Sequence, residues 1–301
     1  MKIAIVGLGK MGMQIAEKLA QGGQEVIANN RSPEAIEKAV TFGAIGAHTK
    51  EEVVAAFGHE RVVIWLMIPA DAVESELAIW LELVPKDSLI IDGGNSDFRN
   101  TKRHAELTEA KGIHFMDVGT SGGIHGYDHG FSMMVGGNKE DSESLRPVFD
   151  ILSKPHGGWR YFGPHGAGHF VKMVHNAIEY GMMESLAEGY RILKEGPYED
   201  LDLATAGAVW QEGSIINSDL NALAEAALSE NPNLDGIDGF VAESGEARWT
   251  LEIAKEMNMP LPSIQAAFDV RIASQKGETN FGTKLLAALR NKFGGHAINK
   301  Q

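Results

Sequence analysis

Three glycines near the start of the chain constrain its fold more than any other feature. They follow an apolar stretch typical of a buried strand and precede a helical pattern that runs from Met11 to Gln21. The first glycine permits a tight turn, the second lets a diphosphate approach the backbone, and the third allows close helix-sheet packing. Amide groups at the helix start then favour an anion. The pattern predicts a dinucleotide site made by Gly7, Leu8, Gly9, Lys10, Met11 and Gly12, although a methyltransferase or a chance turn would also fit.

The first half of the chain alternates short apolar runs with helical patterns, which is typical of a parallel sheet. Predicted strands cover residues 2–6, 25–28, 62–68, 89–92, 114–118, 131–135 and 159–162. Beyond residue 168 these runs end, and the sequence becomes rich in Ala, Leu, Glu and Met. We predict an α/β, doubly wound domain of the Rossmann type over residues 1–165, followed by an all-α domain over residues 166–301 with a C-terminal tail.

Charge and composition exclude several classes of function. The 301 residues carry a formal net charge of -14, which argues against a nucleic-acid-binding surface. The longest apolar run, from Val62 to Ala70, is too short to span a membrane. Cysteine is absent, which excludes disulfides and thiolate chemistry and fits a reducing cytoplasm. We expect a cytoplasmic protein that binds neither nucleic acid nor membrane.

The residues after the second predicted strand bear on cofactor choice. NAD sites usually place Asp or Glu there to bind the ribose 2'-hydroxyl, but this chain has Asn29, Asn30, Arg31 and Ser32. Arg31 can pair with a 2'-phosphate, while Asn30 and Ser32 can donate neutral hydrogen bonds. NADP is therefore the favoured cofactor, with NAD as the alternative.

One predicted helix carries several reactive groups on a single face. At helical spacing, positions i, i+3, i+4, i+7 and i+8 fall together, and here they are Lys172, His175, Asn176, Glu179 and Tyr180. A glycine-rich segment over residues 163–168 precedes them and permits close backbone approach. The face predicts an acid and a base beside a binding crevice, and the alternative is a solvated helix face.

Taken together, these motifs resemble the decarboxylating 6-phosphogluconate dehydrogenase family in its short form, within the wider β-hydroxyacid dehydrogenase group. The resemblance covers nearly the whole chain and is carried by residues 7–12, 91–96, 117–123 and 166–181. It implies oxidation of 6-phosphogluconate at C3, loss of carbon dioxide and protonation of an enediol to ribulose 5-phosphate, as in the pentose phosphate pathway and gluconate utilization. Lys172 takes the role of base and Glu179 that of general acid.

The resemblance also implies the remaining contacts of cofactor and substrate. Met67, Ile68, Pro69 and Asn95 are assigned to the cofactor, and Asn95 to the substrate as well. The other expected substrate ligands are Ser121, Gly122, Gly123, His175, Asn176, Tyr180, Arg248, Arg271, Arg290 and His296. Arg248 stands where the long form of the family commonly has a lysine. The positive charge is retained, but the geometry of the side chain's hydrogen bonds changes.

In the family the C-terminal tail reaches a neighbouring subunit's site, which implies a homodimer, or a tetramer, in which Arg290 and His296 complete the partner's site. The second helical repeat of the long form is absent, so the tail must take a shorter route.

Three alternatives compete with this interpretation. A metal site could use His165, His169 and His175, although no carboxylate completes a compact set. A nondecarboxylating dehydrogenase of smaller β-hydroxyacids would need no arginine cluster. A redox sensor that binds nicotinamide nucleotides would have no use for Lys172 and Glu179 on one helix face.

Overall fold

The computed structural model describes residues 1–299 and divides into two compact units, Met1–Met173 and the part that begins at Val174. The first unit contains eight strands: β1 Lys2–Val6, β2 Glu25–Asn29, β3 Ile45–Ala47, β4 Val63–Leu66, β5 Leu89–Asp92, β6 His114–Ser121, β7 Ser132–Gly137 and β8 Gly158–Gly163. Its helices are α1 Lys10–Gln21, α2 Pro33–Val40, α3 Lys50–Phe57, α4 Val73–Leu83, α5 Phe98–Glu109, α6 Gly126–His129, α7 Lys139–Ser144 and α8 Arg146–Leu152.

The strands form one sheet in the order β3-β2-β1-β4-β5-β6-β7-β8. Apolar side chains on both faces of the sheet form the core of this unit, with Ile3, Ile5, Trp65 and Phe115 at most 1% exposed. The strand order reverses between β1 and β4, and a ligand crevice in such sheets lies beyond the carboxyl ends of the strands at this reversal. The glycine run follows β1 at this point, so the predicted doubly wound fold is confirmed.

Two details of the sheet differ from the prediction. Strand β3 was not predicted, because it has only three residues and two of them, Ile45 and Gly46, are exposed. Strands β6 and β7 are antiparallel, whereas all other pairs are parallel. Only residues 122–131 connect these two strands, and a parallel crossover needs a dozen or more residues.

The second unit is helical, as predicted. It contains α10 Leu203–Gln211, α11 Asp219–Glu230, α12 Glu246–Glu256, α13 Pro262–Ser274 and α14 Phe281–Gly294, together with most of the long helix α9 Ala167–Glu195. Its core includes Met183 and Tyr190 from α9 and Leu285, Leu286 and Leu289 from α14. Among residues 1–299, no helix is both long and apolar enough to cross a membrane.

The boundary between the units falls after Met173, whereas the sequence predicted a boundary after residue 165. The first turns of α9 belong with the sheet because Gly168 lies against Met134 of β7 and Lys172 lies against Gly119 of β6. At the other end, Asn299 accepts a hydrogen bond from the Asp238 amide at 3.2 Å, so the described part of the tail contacts its own unit. Lys300 and Gln301 of the predicted tail lie outside the described residues.

A buried histidine in the first unit should make stability depend on pH. His104 is 2% exposed, and within residues 1–299 neither ring nitrogen has a hydrogen-bond partner. Burial lowers its pKa from the usual value, although the charge of Asp92 acts in the opposite direction. The folded state therefore binds the proton less readily than the unfolded state.

We expect His104 to lower the free energy of unfolding as the pH falls below its unfolded pKa of about 6.5, by up to about 1.4 kcal/mol per pH unit. Above that pH the ring is neutral in both states and the effect vanishes. Urea unfolding of wild type and His104→Leu between pH 5 and 8 measures it. The variant should show a shallower acid slope, and His59→Leu, at an exposed histidine, should not. Parallel slopes for wild type and His104→Leu would contradict this prediction.

Candidate active site

The glycine run forms a tight cradle between β1 and α1. Gly7 has φ +95°, and a Cβ there would lie 2.4 Å from the carbonyl oxygen of Met67. A Cβ on Gly12 would lie 2.0 Å from the carbonyl oxygen of Gly7. Only glycine fits these two positions, as the sequence predicted. Gly9 differs, because a Cβ there would meet nothing within 4 Å and the space in front of its backbone is open.

The N-terminus of α1 suits a diphosphate. Gly9 caps the helix without a side chain, and the first turn contains no acidic residue. No carboxylate in this turn therefore compensates the partial positive charge of its amide groups. These amides are suited to bind an anion. The amide of Leu8 is held by the side chain of Asn30, whose Oδ1 accepts its N–H at 3.0 Å. The residues present fit a dinucleotide cofactor.

The end of β2 holds the residues expected to distinguish NADP from NAD. Asn29 is buried and donates from Nδ2 to the carbonyl oxygen of Ala47 at 2.9 Å, so its role is structural. Arg31 and Ser32 are exposed at the start of α2. The Ser32 hydroxyl donates to Oε2 of Glu34 at 2.9 Å, and hydrogen bonds from its own backbone amide and from Ser32 lower the pKa of Glu34. Glu34 was not predicted to lie at this site, because it is five residues beyond the end of β2.

The turn after β5 presents Asn95 to solvent. Asp92, which is fully buried, accepts hydrogen bonds from the Gly94 amide at 3.1 Å and from the Ser96 hydroxyl at 2.6 Å. Gly93 packs on the indole of Trp65, since a Cβ there would lie 1.7 Å from Nε1. The contacts with Asp92 and Trp65 thus fix the conformation of the turn, while the Asn95 side chain stays exposed. Met67, Ile68 and Pro69 follow β4, the adjacent strand, with partly or fully exposed side chains.

The proposed base stands on the first turns of α9, close to β6. Asp117 of β6 is fully buried and accepts hydrogen bonds from the amides of Gly166 at 2.8 Å and His169 at 2.9 Å. Lys172 follows one turn later and is 4% exposed. A Cβ on Gly119 would lie 2.3 Å from Cβ of Lys172, so a glycine is required where the lysine crosses the strand. Strand β6 continues to Ser121, and Gly122 and Gly123 follow with positive φ angles.

The histidines of the metal alternative have separate partners. His165 donates from Nε2 to the carbonyl oxygen of Phe115 at 3.0 Å, and Nδ1 of His169 lies 2.7 Å from the Thr101 hydroxyl. In the part of the chain that the structure describes, no group of three metal-ligating side chains is close enough to hold an ion.

In the helical unit, α9 presents His175, Asn176 and Glu179. Nδ1 of His175 lies 2.9 Å from Oδ1 of Asn176 and 3.9 Å from Oε2 of Glu179. The amide of Asn176 donates to Oε1 of Glu246 at 2.9 Å, and Glu246 is only 4% exposed. This buried carboxylate orients Asn176. No local pattern indicated this contact, because Glu246 lies 70 residues further along the chain.

Two buried arginines adjoin Tyr180. The guanidinium carbon of Arg271 lies 3.2 Å from the centre of the Tyr180 ring, and Arg271 and Arg290 are 2% and 8% exposed. Burial, which is opposed by Tyr180 and reinforced by the charge of Arg290, lowers the pKa of Arg271 to about 10. Burial also lowers the pKa of Arg290, while Tyr180 opposes the shift. Over residues 1–299, neither guanidinium group lies within ion-pair distance of a carboxylate.

A third buried charge belongs to the same group. Glu184 lies one turn beyond Tyr180, and its Oε2 is buried without a hydrogen-bond partner among residues 1–299. Burial, reinforced by Glu188, raises its pKa to about 7, while Arg271 lowers it. Near neutral pH this carboxyl is partly protonated, so it neutralises the arginines only in part. The charges of Glu179 and Glu246 also favour the charged forms of these arginines, although neither carboxylate forms an ion pair with them among residues 1–299.

Arg248 and His296 occupy other surroundings than predicted. Arg248 is exposed on α12 and forms an ion pair with Glu243 at 3.4 Å, so it is not part of the buried arginine pair. His296 is exposed, with its ring edge-on to Phe293 at 6.2 Å. Arg290 was predicted to complete the site of a neighbouring subunit. In this structure it is close enough to Tyr180 and Glu179 of its own chain for both residues to raise its pKa against the effect of burial. Helix α14 packs its leucines into the core of its own unit, which brings Arg290 there.

Comparison with known proteins identifies the family. A model described as the NAD binding domain of 6-phosphogluconate dehydrogenase matches residues 2–163, and one described as the C-terminal domain of 6-phosphogluconate dehydrogenase matches residues 168–292. The chain belongs to the 6-phosphogluconate dehydrogenase family. The resemblance stated from the sequence is thereby confirmed, and the two matched regions meet between residues 163 and 168, close to the predicted boundary.

Individual members of the family differ in length and cofactor. A Haloferax volcanii protein named NAD(+)-dependent, decarboxylating 6-phosphogluconate dehydrogenase is 37% identical over 303 residues, covering 100% of this chain and 99% of its own. A Bacillus subtilis protein named as the NADP(+)-dependent decarboxylating enzyme is 32% identical, with 92% of this chain matching 62% of its length. The solved 6-phosphogluconate dehydrogenase of Plasmodium falciparum is 30% identical with a TM-score of 0.79, covering 92% of this chain and 63% of that chain.

Proposed function

We propose that this protein oxidatively decarboxylates 6-phosphogluconate to ribulose 5-phosphate and carbon dioxide, with reduction of NADP or NAD. The observation that carries the proposal is the pair of buried arginines, Arg271 and Arg290, that lack carboxylate partners among residues 1–299. Burying unpaired charges is costly, so such a pair is expected where an anionic ligand compensates it. A phosphate dianion on Tyr180 and these arginines supplies two negative charges for the two guanidinium groups, whereas a small β-hydroxyacid without phosphate has only its single carboxylate.

Lys172 and Glu179 carry the proton transfers in this proposal. Lys172 removes the proton of the C3 hydroxyl, and a nicotinamide held at the dinucleotide site would supply the acceptor for the C3 hydride. The protonated lysine then polarises the C3 carbonyl while the carboxylate leaves as carbon dioxide. Glu179 lies two helical turns further along α9 and protonates C1 of the enediol to give ribulose 5-phosphate.

The other residues hold the sugar acid in place. His175 and Asn176 orient the substrate beside the base, with Asn176 fixed by Glu246. Asn95 and the segment Ser121–Gly123 contact its carboxylate end. The pentose phosphate pathway and a cytoplasmic location are further parts of the proposal, and they rest on the family resemblance.

The phosphate contact can be tested by comparing 6-phosphogluconate with gluconate. We expect wild type to form reduced cofactor and carbon dioxide in equal amounts from 6-phosphogluconate. Arg271→Met should raise the KM for this substrate by about 10- to 100-fold, because a charged hydrogen bond is lost. The much slower rate with gluconate, which has no phosphate, should change little.

Arg248→Met is the matched control. Its side chain is exposed beside Glu243, so we expect only a small change in KM. Equal losses with both substrates in Arg271→Met would refute the phosphate contact. No turnover of 6-phosphogluconate by wild type would direct the search to smaller β-hydroxyacids.

For the cofactor we propose a preference for NADP, with NAD as the alternative. Arg31 supports the preference, while Glu34 opposes it by placing a carboxylate beside Ser32. Arg31→Asp should lower kcat/KM for NADP relative to NAD by about 10- to 100-fold, since a charge-assisted hydrogen bond is replaced by repulsion. Steady-state rates with both cofactors measure the ratio. Lys38→Asp, on an exposed position of α2, is the control, and an unchanged ratio in Arg31→Asp would count against the assignment.

We also propose that the protein is a homodimer, or a tetramer of such dimers, in which His296 completes a partner's site. Support comes from an exposed apolar stripe on α9 formed by Ile178, Met182 and Ile192, which are 51%, 46% and 72% exposed. Apolar stripes of this kind are typical of subunit interfaces.

Hybrid dimers test whether His296 acts across the interface. Lys172→Met and His296→Ala chains, coexpressed with different tags, form hybrids in which one of two sites retains both wild-type residues. If His296 serves the partner, the purified hybrid should recover about half of wild-type turnover. Turnover no higher than the average of the two parent dimers would show that each chain supplies its own His296.

A further inference from the structure

The segment between β6 and β7 contains only short helical turns. Residues 122–131 include a 3-10 turn, Gly123–His125, and the four-residue helix α6, together with three glycines of positive φ, Gly122, Gly123 and Gly130. On its inner side the segment wraps the ring of Phe131, since a Cβ on Gly126 would lie 2.1 Å from that ring. Such a glycine-rich segment needs external contacts to keep one conformation.

Helix α1 supplies those contacts through Gln14. Its Nε2 donates to the carbonyl oxygen of Ile124 at 3.0 Å, and its Oε1 accepts the amide N–H of Tyr127 at 3.0 Å. One side-chain amide thus uses both its donor and its acceptor on backbone groups three residues apart. Helix α1 also contacts Tyr127 further out, where the Tyr127 hydroxyl donates to Oε1 of Gln21 at 2.7 Å and Nζ of Lys18 donates to the Tyr127 carbonyl oxygen.

The position of Gln14 gives this contact a functional meaning. It lies two residues beyond Gly12, on the helix whose first turn forms the diphosphate site. Ile124, at the other end of the hydrogen bond, directly follows the Ser121–Gly123 segment. The same helix therefore holds the cofactor at its N-terminus and fixes the segment that contacts the sugar acid.

We propose that Gln14 is a positioning residue that holds the substrate-binding segment Ser121–Gly123 in a fixed position relative to the cofactor-binding helix α1. The inference rests on the proposed function, because the segment is assigned to the substrate there. Gln14 is not among the residues assigned to cofactor or substrate. It acts through the backbone of Ile124 and Tyr127, so its loss should weaken substrate binding more than cofactor binding.

The experiment compares wild type with Gln14→Met, which keeps the side-chain length but cannot make either hydrogen bond. Calorimetry gives the Kd of NADP alone and the Kd of 6-phosphogluconate in the presence of NADP. We expect the Kd of 6-phosphogluconate to rise about tenfold, since two neutral hydrogen bonds are lost, while the Kd of NADP changes by less than about twofold. Gln21→Met, which removes only the hydrogen bond from the Tyr127 hydroxyl, should leave both constants unchanged.

Hydrogen exchange separates failure of this inference from failure of the proposed function. The Tyr127 amide, held by Gln14, should exchange faster in Gln14→Met and not in Gln21→Met, whether or not 6-phosphogluconate is the substrate. An unchanged exchange rate, an unchanged substrate Kd, or an equal weakening of cofactor and substrate would overturn the proposal. If wild type binds no 6-phosphogluconate, the proposed function fails. The positioning role of Gln14 then fails with it, even where hydrogen exchange confirms the contact between Gln14 and the Tyr127 amide.

Discussion

The start of α9 depends on one buried carboxylate. Asp117 accepts the amide N–H groups of Gly166 and His169, which the helix itself cannot satisfy at its N-terminus. Its negative charge also stabilises the positive end of the helix dipole. Lys172 then crosses β6 where Gly119 has no side chain. The strand that caps the helix is thus the strand that positions the proposed base, so one change in β6 would alter both.

The helical unit buries the positive charges of Arg271 and Arg290, which lowers its stability. Arg271 stacks on Tyr180 instead of pairing with a carboxylate, and burial lowers the pKa of Arg271 to about 10. Glu184 offsets this charge incompletely, because its own burial raises its pKa to about 7. A full ion pair would stabilise the empty protein more, but it would then compete with a phosphate for the same guanidinium groups. The incomplete compensation of the arginine charges would therefore favour the binding of the proposed phosphate at the expense of the stability of the folded protein.

The sequence predicted local features well and long-range contacts poorly. The bounds of β5 were predicted because its apolar run ends at a glycine turn, and in the first glycine run Gly7 and Gly12 occupy positions that only glycine fits. Glu246 could not be found, since its contact with Asn176 joins separate helices. Arg248 was grouped with the phosphate ligands by motif, yet its neighbour Glu243 holds it elsewhere. Side-chain partners depend on packing that no local pattern specifies.

The proposed cofactor preference depends on the start of α2, where the fold leaves Arg31 and Ser32 exposed. A 2'-phosphate would gain Arg31 but would have to draw the Ser32 hydroxyl away from Glu34, whose lowered pKa keeps it charged at neutral pH. A 2'-hydroxyl would instead donate to Glu34. Each cofactor would thus gain one charge-assisted hydrogen bond. With gains so similar in kind, we expect a single substitution to change the cofactor preference.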